Sequence, residues 1–139
     1  MVEIEVVYQG ELHTEAVHGP SGARVSTDAP VDNHGRGACF SPTDLVAGAL
    51  GACMLTVMGI LAAEKGWNLE GTRVRVEKHM VAEPKRRIGR LVVELSMPPG
   101  VPDEARLDLE LAAFGCPVRE SIHPAIDLDV CFDWTVVGA

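Results

Sequence analysis

Four cysteines, Cys39, Cys53, Cys116 and Cys131, are the residues of this chain best suited to chemistry, and their settings differ. Cys116 precedes Pro117 where a short helix, C-P-V-R-E-S-I, begins. A cysteine at a helix N-terminus faces unpaired N–H groups and the positive end of the dipole, both of which favour thiolate. Cys53 stands near the middle of an apolar run, where desolvation opposes ionisation unless a cation is brought to it. The preceding segments offer two cations, Arg24 and Arg36. Cys131 falls on the polar face of a strand and Cys39 in a loop, with no helix terminus to activate either. Taken by itself, each thiol reads more simply as an inert small core residue than as a nucleophile.

Other chemistry finds little support. The cysteines are widely spaced with no C-x-x-C, and His13, His18, His34, His79 and His123 share no ligand spacing, so no metal site is expected and the histidines read as surface or turn residues. There is no Ser-His-Asp arrangement and no nucleotide fingerprint, and H-G-R-G at residues 34–37 is a flexible loop rather than a phosphate cradle. No cofactor is implied. A net charge of −8 and a pI near 5.0 argue against nucleic acid and anionic surfaces, which need basic patches. Aromatics at 4% argue against a base-stacking platform as well.

The element that must position the chemistry is residues 41–66, SPTDLVAGALGACMLTVMGILAAEKG, an almost unbroken apolar helix. Ser41 suits the N-cap, Pro42 the first helical position, and Asp44 the positive end of the dipole. Gly66 suits a left-handed position after the last turn. Val46, Leu50, Cys53, Met54, Val57 and Leu61 recur at spacings of three and four, which places the thiol on an apolar stripe. Gly48, Gly51 and Gly59 each cost a helix roughly 1 kcal/mol relative to alanine, so neighbours are expected to approach its backbone closely from several sides. The run is long enough to raise a membrane span. Abundant Gly and Ala, missing flanking aromatics and basic clusters, and amphipathic strands on both sides favour a buried core helix instead.

The rest reads as one α+β domain over residues 1–139. Val2, Ile4 and Val6 alternate with glutamates as a half-buried strand, Gln9-Gly10 turns the chain, and residues 12–17 and 23–27 follow as strands. After the helix, residues 69–83 and 88–97 form two more, joined at a basic turn whose Lys85, Arg86 and Arg87 read as a solvated hairpin tip. A helix from Pro102 to Phe114 places Leu107, Leu111 and Phe114 on one side, Gly115 ends it, and a closing strand alternates from Leu128 to Val136. MVEIEVVYQGELH carries no secretory pattern, so a cytoplasmic location is expected, with the cysteines as thiols at rest.

S-P-T-D-L-V-x-G-A-L-G-A-C, ending at Cys53, and C-P-V-x-x-x-I, starting at Cys116, resemble the two cysteine motifs of the OsmC/Ohr superfamily of thiol-dependent hydroperoxide reductases. The order of elements between them fits too, so the resemblance covers essentially the whole chain. It implies an α+β fold with antiparallel sheets packed around a long buried central helix, and an intertwined homodimer with the site at the subunit interface. It further implies a peroxidase of organic hydroperoxides in which Cys53 becomes a sulfenic acid, Cys116 resolves it as a disulfide, and a small dithiol of lipoyl type restores both. An arginine, Arg24 or Arg36, and Asp44 would orient the substrate, while Cys39 and Cys131 lie outside both motifs. The best-studied branches carry an acidic residue directly after the helix-opening proline. This chain has Thr43 there and Asp44 one step, about 100° of helix, later. In that respect it resembles a less characterised branch, for which the alternative is a non-enzymatic stress protein binding a small molecule in an apolar pocket at the dimer interface.

Overall fold

The computed structural model describes residues 1–135, so Val136, expected in the closing strand, lies outside the described residues. The chain forms two compact units, Met1–Val46 and Ala47–Ala139.

The first unit is a three-stranded antiparallel meander, β1 (Ile4–Gly10), β2 (His13–His18) and β3 (Arg24–Asp28), in the order β1-β2-β3. The turn between β1 and β2 falls on Glu11 and Leu12 rather than on Gln9-Gly10. Both residues adopt positive φ, 54° and 61°, the pairing whose twist matches that of the flanking strands. Ile4 and Val6 were expected to be half-buried. They are 62% and 58% exposed, and within the first unit no element among the described residues packs on that face of the small sheet. A short 3-10 turn, Val31–Asn33, begins the loop that leads to the long helix.

That helix, α1 (Pro42–Lys65), starts and stops where its sequence signals lie. The Asp44 N–H donates to Ser41 Oγ at 3.1 Å, and the Ser41 N–H donates to Asp44 Oδ2 at 2.9 Å, a reciprocal cap that satisfies two orphan donors. Gly66 follows with φ 75°. The buried stripe is Ala47, Leu50, Gly51, Met54, Met58 and Ala62, one step round from the expected one. Of the three glycines only Gly51 meets a close neighbour: a Cβ there would lie 3.0 Å from Val76 Cγ2 and 3.1 Å from Val74 Cγ1. Gly48 and Gly59 face open space, so within one chain the helix is packed on one side and not all round. By length and composition α1 would suffice to cross a membrane, and a third of that apolar window is buried within the chain.

In the second unit, β4 (Arg73–Val81) and β5 (Arg87–Ser96) form a long antiparallel hairpin, and β6 (Asp127–Asp133) pairs with β5 in parallel. This sheet is therefore mixed, where purely antiparallel sheets were expected. The connection from β5 to β6 carries α2 (Arg106–Phe114) and α3 (Pro117–Ser121), a crossover of the length that parallel pairing requires. Leu91, Val93 and Leu95 alternate along β5 and are buried. Val74 pairs with Leu95 and Val76 with Val93, so one face of the sheet presents them together towards Gly51. With Leu50, Met54, Met58, Met97 and Leu109, the buried β5 residues Leu91, Val93 and Leu95 make the core. In α2 the side with Leu107 and Leu111 is exposed, and Leu109 and Ala113 are the buried positions, in line with buried Ala105 just before the helix.

Candidate functional site

The second unit brings Cys53 and Cys116 together, their thiols within hydrogen-bonding range of each other. Cys53 comes from the middle of α1 and is half-buried, while Cys116 is the N-cap of α3 and is fully buried. Docking of the crossover onto β6 sets the position of Cys116. Trp134 Nε1 donates to Glu110 Oε1 at 2.9 Å, the Arg106 guanidinium lies 5.3 Å from the Trp134 ring centroid, and Phe114 meets Phe132 edge-on at 6.0 Å. Gly115 then ends α2, and Pro117 opens α3 with Cys116 between them.

The local electrostatics of Cys116 differ from the sequence expectation. The Arg119 N–H donates to Cys116 Sγ at 3.3 Å, as an N-cap acceptor should, and this favours thiolate. Burial acts the other way and is larger, and the hydrogen bond with Cys53 adds to it, so the Cys116 thiol is pushed above its ordinary value. A five-residue helix supplies too little dipole to reverse that desolvation. Arg119 was not singled out in the sequence, and its only cue is its place three residues after a capping cysteine. Its guanidinium donates to Phe114 O at 3.0 Å and lies 5.5 Å from the Phe114 ring centroid, which ties the first turn of α3 back to α2.

The other expected site residues lie in the first unit. Arg24 is paired with Glu15 on β2, and Arg36 lies 3.4 Å from Glu11, with both guanidiniums largely exposed. Asp44 accepts the Ser41 N–H and so serves as half of the helix cap. Cys131 is exposed on β6.

Cys39 has partners that sequence reasoning missed. Its side chain hydrogen-bonds with the Asp28 carboxylate, which lies 2.6 Å from His13 Nδ1 and also accepts the Ala38 N–H at 3.1 Å. Asp28 is 3% exposed. Its carboxyl is held below its ordinary value, chiefly by the bond to His13, with burial opposing. The Cys39 thiol is pushed up by burial and by the charge of Asp28, with Arg36 pulling the other way. These residues come from β2, the end of β3 and the following loop. The cross-strand pairing of His13 with Asp28 is the signal that a register assignment would have exposed.

The family model for OsmC-like protein matches residues 35–130, a span that contains both Cys53 and Cys116. The chain belongs to the OsmC-like family. Among solved structures, this OsmC-like chain is 41% identical to a protein from Psychrobacter arcticus 273-4, named provisionally as an osmotic stress induced and detoxification response protein. That alignment covers 95% of this chain and 96% of the other, with a TM-score of 0.89. An organic hydroperoxide resistance protein OsmC from Legionella pneumophila is 18% identical over 96% of each chain, with a TM-score of 0.73. The organic hydroperoxide resistance protein OhrB of Bacillus subtilis is 13% identical over 96% of this chain and 98% of that one, with a TM-score of 0.67. The last two show a shared fold. A search of curated proteins found no match.

Proposed function

We propose that this OsmC-like chain is a thiol peroxidase that reduces organic hydroperoxides. The observation that carries the reading is the pairing of two thiols with unequal surroundings, a half-buried Cys53 beside a fully buried, helix-capping Cys116. Cys53 sulfur attacks the O–O bond of the hydroperoxide, which breaks. The sulfur gains a hydroxyl to become sulfenic acid, and the organic fragment leaves as the alcohol with the thiol proton. Cys116 sulfur then displaces that hydroxyl as water and forms a disulfide. A small dithiol of lipoyl type returns both cysteines to thiols by exchange and is itself oxidised to its disulfide. A Cys116 kept as thiol suits the second role, since a neutral neighbour does not repel the incoming oxidant and is at hand when the sulfenic acid forms.

In this reading the enzyme works as a homodimer in the cytoplasm, and the open faces of β1 and of the Gly48 side of α1 are where a second copy would sit. Arg24, Arg36 and Asp44 remain candidates for orienting the hydroperoxide from that assembly. The test is peroxide consumption with a dithiol reductant. Wild type should turn over, and Cys53→Ser should fall to the uncatalysed rate. Equal rates would sink the peroxidase reading.

One observation favours a second reading, binding of a small apolar molecule without turnover. A hollow of about 380 Å³, lined largely by Leu55, Gly59, Ala62, Trp67 and Leu69, lies at the C-terminal half of α1. Saturable ligand binding that persists in Cys53→Ser, with no peroxide consumption by wild type, would select it.

A further inference from the structure

We propose that His13, Asp28 and Cys39 form a binding site for one divalent cation of the zinc class. Each offers one ligand atom, nitrogen, oxygen and sulfur, and the three atoms lie within 4.8 Å of one another. All three residues belong to the first unit, so this site is built by residues other than the thiol pair and needs none of the peroxidase reading.

The chain brings them together by backbone pairing. His13 and Asp28 stand directly opposite each other at the end of the β2–β3 ladder. The loop after β3 then returns over Asp28: its N–H donates to Phe40 O at 3.1 Å, and the Ala38 N–H donates to Asp28 Oδ2. Cys39 lies between those two anchors. The turn inside the loop is closely folded, with Gly35 N–H bonded to Pro30 O and Gly37 N–H to Ala29 O. A Cβ on Gly35 would overlap Ala29 O at 1.7 Å, so the loop depends on glycine there. The ligand set is thus pre-organised rather than assembled by a mobile segment.

Donor chemistry selects the cation. Imidazole, carboxylate and thiolate together suit zinc, whereas calcium and magnesium require oxygen ligands throughout. Thiolate and carboxylate supply two negative charges, which neutralise a dication in a place where Asp28 is almost wholly buried. The Ala38 N–H occupies Oδ2, which leaves Oδ1 to the metal and fixes the carboxylate plane, the arrangement expected of an outer-shell donor. Around a tetrahedral zinc, ligand atoms stand on the order of 3.3–3.8 Å apart. Loading therefore spreads His13 Nδ1 and Asp28 Oδ1 from 2.6 Å by roughly 1 Å, within the reach of side-chain rotation. The cation takes the place of the hydrogen bond between them. His13 coordinates through Nδ1 as the tautomer that carries its N–H at Nε2, and Cys39 releases its Sγ proton to solvent. Three protein ligands leave the fourth position to water, and a His13 that is 26% exposed gives a way in. Arg36, whose charge reaches Cys39, is exposed and paired with Glu11, so water and salt screen its repulsion.

The test is Co²⁺ titration of the chelator-treated full chain, read by the thiolate-to-cobalt charge-transfer band. One Co²⁺ per chain, displaced by Zn²⁺, is expected in wild type, Cys53→Ser and Cys116→Ser. Cys39→Ser should lose the band, and His13→Gln should bind at least about tenfold more weakly. No band in wild type overturns the proposal, as does a band that survives Cys39→Ser. If circular dichroism shows Cys39→Ser unfolded, X-ray absorption of Zn²⁺-loaded wild type decides. One sulfur with nitrogen and oxygen ligands supports the site, and two sulfurs or none overturns it.

Discussion

Cys53 and Cys116 meet although one sits in the middle of a 24-residue helix and the other caps a helix of five residues. α1 supplies a thiol on a rigid rod. The second thiol is delivered by a crossover pinned to β6 by Phe114 against Phe132 and to the residue just after β6 by Glu110 with Trp134.

That pairing sets the outcome of oxidation. One equivalent of an organic hydroperoxide should remove two thiols per chain and give a Cys53 to Cys116 disulfide by peptide mapping. Cys116→Ser should react once, stop at sulfenic acid and go on to sulfinic acid with excess oxidant, because nothing traps the first product. Cys39 and Cys131 should stay reduced throughout. A disulfide that joins Cys39 to Cys53 would remove Cys116 from the resolving role.

Reactivity of the reduced protein should follow burial. The folded value of Cys116 is raised above that of the unfolded chain, so its stabilising contribution is fully present below the ordinary thiol value, about 8.5, and is lost as pH rises through the folded value. Denaturation midpoints should therefore fall on the alkaline side, and less steeply in Cys116→Ser. Alkylation at neutral pH should label exposed Cys131 well before Cys116.

The acid side should report Asp28. Its folded value lies below the unfolded one, so its contribution is present above about 3.9 and disappears as pH falls through the folded value. Asp28→Asn should flatten the acid limb of the stability profile. An unchanged limb would mean that the bond to His13 contributes nothing to folding.

Crowding at Gly51 gives a packing prediction. A side chain there meets Val74 and Val76 on the strand below, so Gly51→Leu should lower unfolding free energy by about 1–3 kcal/mol in a denaturant titration. Gly59→Ala, facing open space in the chain, should instead raise it by roughly 1 kcal/mol, the helix penalty of glycine.

The homodimer should appear in sedimentation at micromolar concentration as twice the chain mass of 14.9 kDa. Ile4, Val6 and Tyr8 on β1 are each more than half exposed, a run of apolar surface that a second copy would cover. Sedimentation at the single-chain mass would require another explanation for that face.

Most of this architecture was legible in the residues, for identifiable reasons. The Ser41 cap, the Gly66 stop and the Cys116-Pro117 helix start are local signals, and local signals carry. Burial was less legible, because an apolar stripe does not say what covers it: Leu107 and Leu111 repeat as a core stripe should, yet face outward on α2. The parallel pairing of β5 with β6 was hidden for a similar reason, since strand direction depends on where a crossover lands. The cluster at His13, Asp28 and Cys39 was the least visible, because no spacing links residues that meet only through strand register and a returning loop.

The crossover also bears on how the chain folds. β1 to β3, and β4 with β5, are neighbours in sequence and close short loops. Joining β6 to β5 requires ordering the whole stretch from Ser96 to Asp127, the longest closure among the described strands. Cys116 travels on that stretch. A chain in which β6 has not joined β5 lacks the contacts that bring Cys116 to Cys53, so the thiol pair is expected to assemble together with that closure.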